Sequence, residues 1–121
     1  MPCILIVDDS ASHNQAAAQI LQRHGYEVLK AKDAEQGFAL ATQHKPDLIL
    51  MDVVMPGVNG FEATRGLRSD ELTKTIPVVL LSSKQGMADK QWGLRQGAKA
   101  YLVKPVQEQA LLETVQAILG P

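Results

Sequence analysis

Ile4-Leu5-Ile6-Val7-Asp8-Asp9-Ser10 is the stretch whose reading decides the fold. Apolar residues run without a break and then stop at two adjacent carboxylates. A strand with one wet face alternates apolar and polar residues. An unbroken run suits a strand covered on both faces, as in a parallel sheet layered by helices. The acidic pair then falls at the strand's carboxyl end, which is where open α/β sheets gather their ligands.

The same pattern recurs along the chain. Short apolar runs stand at Cys3–Val7, Tyr26–Ala31, Leu48–Met51, Val78–Leu81 and Ala100–Val103. The second alternates more than the others, which predicts a place nearer an edge. Helical spacing fills the gaps. Asn14–His24 carries Ala17, Ile20, Leu21 and His24, with Gly25 as its stop. Asp33 caps Ala34–Gln43, whose Phe38 and Ala41 should face inward. Gly60–Ser69 sets Phe61, Thr64 and Leu67 along one side, and Met87–Gln96 has Trp92 and Leu94 before Gly97. Gln107–Leu119 has a broad stripe of Leu111, Leu112, Val115, Ile118 and Leu119. These stripes read as core contacts, Trp92 included, although an exposed tryptophan would instead suit a partner-binding anchor. Strands alternating with helices imply right-handed crossovers and an α/β fold with a five-stranded parallel sheet.

Composition narrows the function classes. A chain of 121 residues is one ordinary domain, here 1–121, and its 45% apolar content argues against disorder. A net charge of -1 provides no basic field for nucleic acid or an anionic membrane. One cysteine, Cys3, excludes an internal disulfide and fits a reducing compartment. The start reaches Asp8 too soon for a secretory signal, and no apolar run approaches the roughly 20 residues of a membrane span. The expectation is a soluble cytoplasmic protein without membrane insertion.

If the sheet is parallel, the residues after each run share one rim. They are Asp8, Asp9 and Ser10, then Asp52, then Ser82 and Ser83, then Lys104 and Pro105. Each has a bland reading alone, as a polar strand end, a helix cap, a turn residue or a solvated lysine. Together they place three carboxylates on one rim, where mutual repulsion would raise their pKa values unless a cation intervened. Oxygen donors of this kind suit Mg²⁺. His13, His24 and His44 are scattered and form no zinc cluster with the single cysteine. All three read as surface or partly packed, with His13 the nearest to the rim.

These segments, with Met51-Asp52, Met55-Pro56-Gly57, Gly60, Leu81-Ser82-Ser83, Gly97-Ala98, Tyr101 and Lys104-Pro105, resemble the receiver domain of two-component response regulators over essentially the whole chain. The resemblance implies a flavodoxin-like doubly wound sheet with strand order 2-1-3-4-5 and five helices. It implies that Asp52 is the phosphoacceptor, loaded by a histidine kinase or phosphotransfer protein. Asp9, Asp52 and the backbone carbonyl of Val54 would hold Mg²⁺ directly, with Asp8 acting mainly through a metal-bound water. Ser82 and Lys104 would bind phosphoryl oxygens, Tyr101 would be the switch aromatic, and Lys104–Pro105 would be a cis peptide. It implies a domain that takes up and slowly loses a phosphoryl group rather than an enzyme that releases a product. The readout would be a docking surface around Tyr101 and a downstream protein, with no output domain and no DNA binding. Lys90 to Gly97, with Leu81-Ser82-Ser83-Lys84, is similar to regulators of type IV pilus, or twitching-motility, chemotaxis-like systems. Apolar Val54 and basic Lys84 border the expected path of a hydrolytic water, which predicts slow self-dephosphorylation.

Three other readings share parts of this pattern. A Mg²⁺-dependent aspartyl phosphatase would carry Asp-x-Asp after the first strand, and the pair here is adjacent. A flavin module would need a hydroxyl- and glycine-rich phosphate loop where Asp8-Asp9-Ser10 is acidic. A phosphorylation-independent binding module would be expected to lack one of the acidic residues or the lysine.

Overall fold

The computed structural model describes residues 2–55, 57–83 and 87–120. Five strands, β1 (Cys3–Val7), β2 (Glu27–Ala31), β3 (Leu48–Asp52), β4 (Val78–Ser82) and β5 (Ala100–Val103), form one sheet in the order β2-β1-β3-β4-β5. Every pairing is parallel. Five helices alternate with them: α1 (Ala11–Arg23), α2 (Ala34–His44), α3 (Gly60–Ser69), α4 (Met87–Arg95) and α5 (Glu108–Leu119). This is the expected flavodoxin-like order, with β2 at an edge as its mixed pattern predicted.

The continuous runs are continuous because both faces are buried. Leu5, Val7, Ile49, Met51, Val78 and Leu80 point to one side, where Ala34 and Ala41 of α2 and Ala63 and Leu67 of α3 meet them. Ile4, Ile6, Leu48, Leu50, Val79 and Leu81 point to the other, against Ala18 and Leu21 of α1 and Leu111 and Val115 of α5. Each fully buried side chain of this kind is worth about 1.5–3 kcal/mol of transfer free energy. The strict period of two also decides which way the rim residues face.

Several helix expectations need correction. α1 begins at Ala11, not Asn14, because the Ser10 hydroxyl accepts a hydrogen bond from the His13 N–H at 3.3 Å and caps the helix. That adds a turn and puts Asn14 inside it, buried. His24 is at the surface, as its reading from the sequence had it, and caps the C-terminus of the helix with Nε2 3.2 Å from Glu108. Trp92 and Leu94 are 47% and 48% exposed rather than packed. They flank Gly93, which is buried. A Cβ on Gly93 would lie 2.7 Å from Leu80 Cδ1 and 3.2 Å from Tyr101 Cδ2, so a methyl there would require these side-chain ends to shift. Gly25 and Gly97 do stop α1 and α4, with φ of +89° and +107°.

Candidate functional site at the carboxyl rim of the sheet

The register sets the site. Val7 pairs with Met51 and Asp52 with Leu81, so Asp8 leaves β1 beside the end of β3. Asp8 continues the Ile4–Ile6 series and Asp52 the Leu48–Leu50 series, so the alternation aims both toward the α1/α5 side. Both are buried, at 3% and 5% exposure, whereas Asp9 is exposed. One carboxylate oxygen from each of Asp8, Asp9 and Asp52 lies within 4.8 Å of the others.

Lys104 reaches into this group from the loop after β5, where the Lys104–Pro105 peptide is cis as expected. Its Nζ lies 2.8 Å from Asp8 Oδ2 and 3.1 Å from Asp52 Oδ1. The Lys104 N–H donates to the Ser82 carbonyl at 2.8 Å, which fixes the root of that side chain to β4. Behind the ammonium lies a mostly apolar cavity of about 130 Å³, walled by Ile6, Ala17, Ile20, Leu81 and Leu111. In front, Asp9, Ser10, Asp52, Val54 and Ser83 line an open basin of about 470 Å³.

The electrostatics follow from this crowding. Burial pushes the Asp52 carboxyl above its ordinary value, and the charge of Asp8 adds to the rise. Lys104 opposes that rise through charge and hydrogen bonding without cancelling it, and Asp9 adds a smaller push. Burial pulls the Lys104 ammonium down, but its bond to Asp8 and the charges of Asp52 and Asp8 outweigh this and raise it. A carboxylate cluster left short of positive charge, offering oxygen donors only, fits a hard divalent cation.

Ser82 is fully buried at the end of β4. Tyr101 of β5 is half-buried against the core on the α2/α3 side. Val54 follows β3, is 58% exposed and lines the basin. Lys84 and Pro56 lie outside the described residues. The structure thus brings Asp8, Asp9, Asp52 and Lys104 together. Ser82 pairs with Val103, the residue before Lys104.

Three residues matter more than the sequence suggested. His13 Nδ1 lies 3.4 Å from Lys104 Nζ, so this histidine stands on the rim itself. Gly60 opens α3 against the end of β3: its N–H donates to the Val53 carbonyl at 2.9 Å, and a Cβ would overlap the Asp52 carbonyl oxygen. Asn14 binds backbone carbonyls beneath Asp8. A glycine eight residues past an acidic strand end hinted at the second; nothing in the pattern marked the third.

Fold and rim together define a response regulator receiver domain, and the sequence pattern of that family matches residues 4–116. The chain belongs to this family. It is 52% identical over 120 residues to Protein PilH of Pseudomonas aeruginosa, covering 99% of each chain. It is 41% identical over 116 residues to the phosphate regulon transcriptional regulatory protein PhoB of the same organism, covering 96% of this chain and 51% of that one. The crystal structure of the Vibrio cholerae chemotaxis protein CheY4 superimposes with a TM-score of 0.92 at 37% identity, covering 98% of each chain. Among the described residues, no helix is long and apolar enough to cross a membrane.

Proposed function

We propose that this receiver is a phosphoryl-accepting switch in which Asp52 is the acceptor. The observation that carries it is Lys104 Nζ seated between Asp8 and Asp52, 2.8 and 3.1 Å away, at the carboxyl end of a parallel sheet. In this reading an Asp52 carboxylate oxygen attacks the phosphorus of a phosphohistidine on a partner kinase or phosphotransfer protein. The new P–O bond forms as the P–N bond breaks, and the imidazole nitrogen keeps the electron pair and takes a proton. Phosphoryl transfer asks mainly for alignment and for charge to balance the equatorial oxygens. Lys104 is placed to leave Asp52 for one of those oxygens, and Ser82, at the adjoining strand end, to donate to another.

Asp8, Asp9, Asp52 and the Val54 carbonyl would hold Mg²⁺, which when bound adds positive charge against the carboxylates and the phosphoryl group. The protein's own turnover would be confined to accepting and slowly losing that group. The output would be a shift of the face around Tyr101, read by a downstream protein. A role in a type IV pilus or twitching-motility system is supported by the 90–97 segment and by the identity to Protein PilH. A soluble, cytoplasmic setting and a histidine kinase partner belong to the same proposal.

Incubation with acetyl phosphate and Mg²⁺, followed by intact mass, tests it. The expected result is a single phosphoryl adduct that is absent in Asp52→Asn; no adduct with any donor would overturn the reading. The lifetime is a separate question. Exposed Val54 offers the basin no group to orient an attacking water. The adduct should decay slowly, and Val54→Asn should speed the decay several-fold; rapid loss from the wild type would refute this.

A further inference from the structure

Asn14 is a buried polar residue on a helix face that otherwise packs Ala18 and Leu21 against the sheet. Its Nδ2 lies 3.1 Å from the Ala31 carbonyl, 3.3 Å from that of Asp8 and 3.4 Å from that of Ile6. One amide group therefore ties the end of β1 to the end of β2 and to the peptide between Asp8 and Asp9. The Asp8 N–H reinforces this tie, donating to the same Ala31 carbonyl at 3.0 Å. The opposite amide orientation would set Oδ1 against three carbonyl oxygens, so the chemistry fixes which atom faces them. In that orientation Asn14 Oδ1 is buried and, among the described residues, has no hydrogen-bond partner. A leucine would meet the same apolar neighbours without that desolvation cost. An asparagine that leaves an acceptor unsatisfied in order to bind three carbonyls under the acidic pair therefore serves the pair.

We propose that Asn14 is a positioning residue for the cation site: it fixes the peptide that joins Asp8 to Asp9 and so the aim of both carboxylates. The inference rests on the Mg²⁺ reading given above. Groups one step behind a metal's ligands typically change its affinity tenfold to a hundredfold. The experiment is Mg²⁺ titration by calorimetry, with thermal unfolding in EDTA and in saturating Mg²⁺, on wild type, Asn14→Leu and Asn14→Ala. The expected result is Mg²⁺ binding about tenfold weaker in both variants and a smaller Mg²⁺-induced rise in Tm. A residue that only packs would change the Tm in EDTA and leave the Mg²⁺ affinity within twofold, which would overturn the proposal. If Asn14→Leu does not fold, Asn14→Ala decides; if neither folds, Asn14 serves the whole fold and the proposal fails. A wild type that binds no Mg²⁺ sinks the cation reading itself, an outcome distinct from every result on the variants.

Discussion

The two sides of the rim are built from different materials. At the acidic end, backbone and buried charge do the holding: Asp8 and Asp52 against Lys104, the start of α3 at Gly60 against the Asp52 peptide, Asn14 of α1 against three carbonyls. On the α4/β5 side, the ends of side chains do the holding. Every β5 residue is only half-buried, and Gly93 rests on the tips of Leu80, Tyr101 and Phe61. Backbone has no rotamers to change, whereas side-chain ends do. The contrast places precise chemistry on one side and leaves room for rearrangement on the other.

Two glycine substitutions make the contrast measurable, and the first carries the largest expected effect. Gly60→Ala drives a methyl into the Asp52 carbonyl and to 2.8 Å from Val53 Cα, so strand or helix must shift. The expected loss is about 2–4 kcal/mol by denaturant unfolding, with weaker phosphoryl uptake. Gly93→Ala meets Leu80 Cδ1 at 2.7 Å, the far end of a side chain that can turn. Alanine also gains about 1 kcal/mol of helix propensity there, so the net change should stay within about 1 kcal/mol. Equal losses at the two positions would break the comparison.

The charged side can also be relaxed, with a smaller effect. Asp52's folded pKa stands above its unfolded value, through burial first and the charge of Asp8 second. Such a group favours folding fully below the unfolded pKa, near 4, and that advantage is lost as pH rises through the folded pKa. At neutral pH the ionised carboxylate is therefore a cost. Asp52→Asn should raise the Tm in EDTA at pH 7 by a few degrees, with the gap closing as pH falls toward 4. Lys104 keeps Asp8 as its partner in that variant. A lower Tm at pH 7 would mean that the Lys104–Asp52 pair outweighs the crowding. The residue proposed as the acceptor would then not be a point of stored repulsion.

The same division explains what could be read from the chain. Strand continuity, helix spacing and turn glycines are local signals, and they placed all five strands and the rim residues Asp8, Asp9, Asp52 and Lys104 correctly. The strand order came from resemblance, since periodicity carries no information about which strands are neighbours. What escaped was set by approach between elements. The apolar stripe of α1 starts late, so its spacing points to Asn14 as the first residue, and a Ser10 cap only shows itself once the backbone turns. Trp92 and Leu94 look like core residues because apolar side chains usually are; how closely α4 approaches the sheet depends on Gly93, which has no hydrophobicity to reveal it. Asn14 was invisible as a clamp because its partners are carbonyls, which every residue has.

Trp92 gives the smallest expected change and the sharpest view of the second side. At 47% exposure it lies on α4 beside Gly93, over a contact made of side-chain tips. Trp92→Ala should move the unfolding free energy by no more than about 0.5–1 kcal/mol, because half its surface already meets water. Its fluorescence should nonetheless respond to acetyl phosphate and Mg²⁺ in the wild type and stay flat in Asp52→Asn, since any resetting of Tyr101 or Leu80 alters the bed on which α4 rests. A loss of several kcal/mol would show that Trp92 is structural and that the α4 side is as firmly held as the acidic one. A silent fluorescence signal with a confirmed phosphoryl adduct would show that the two sides do not communicate through Gly93.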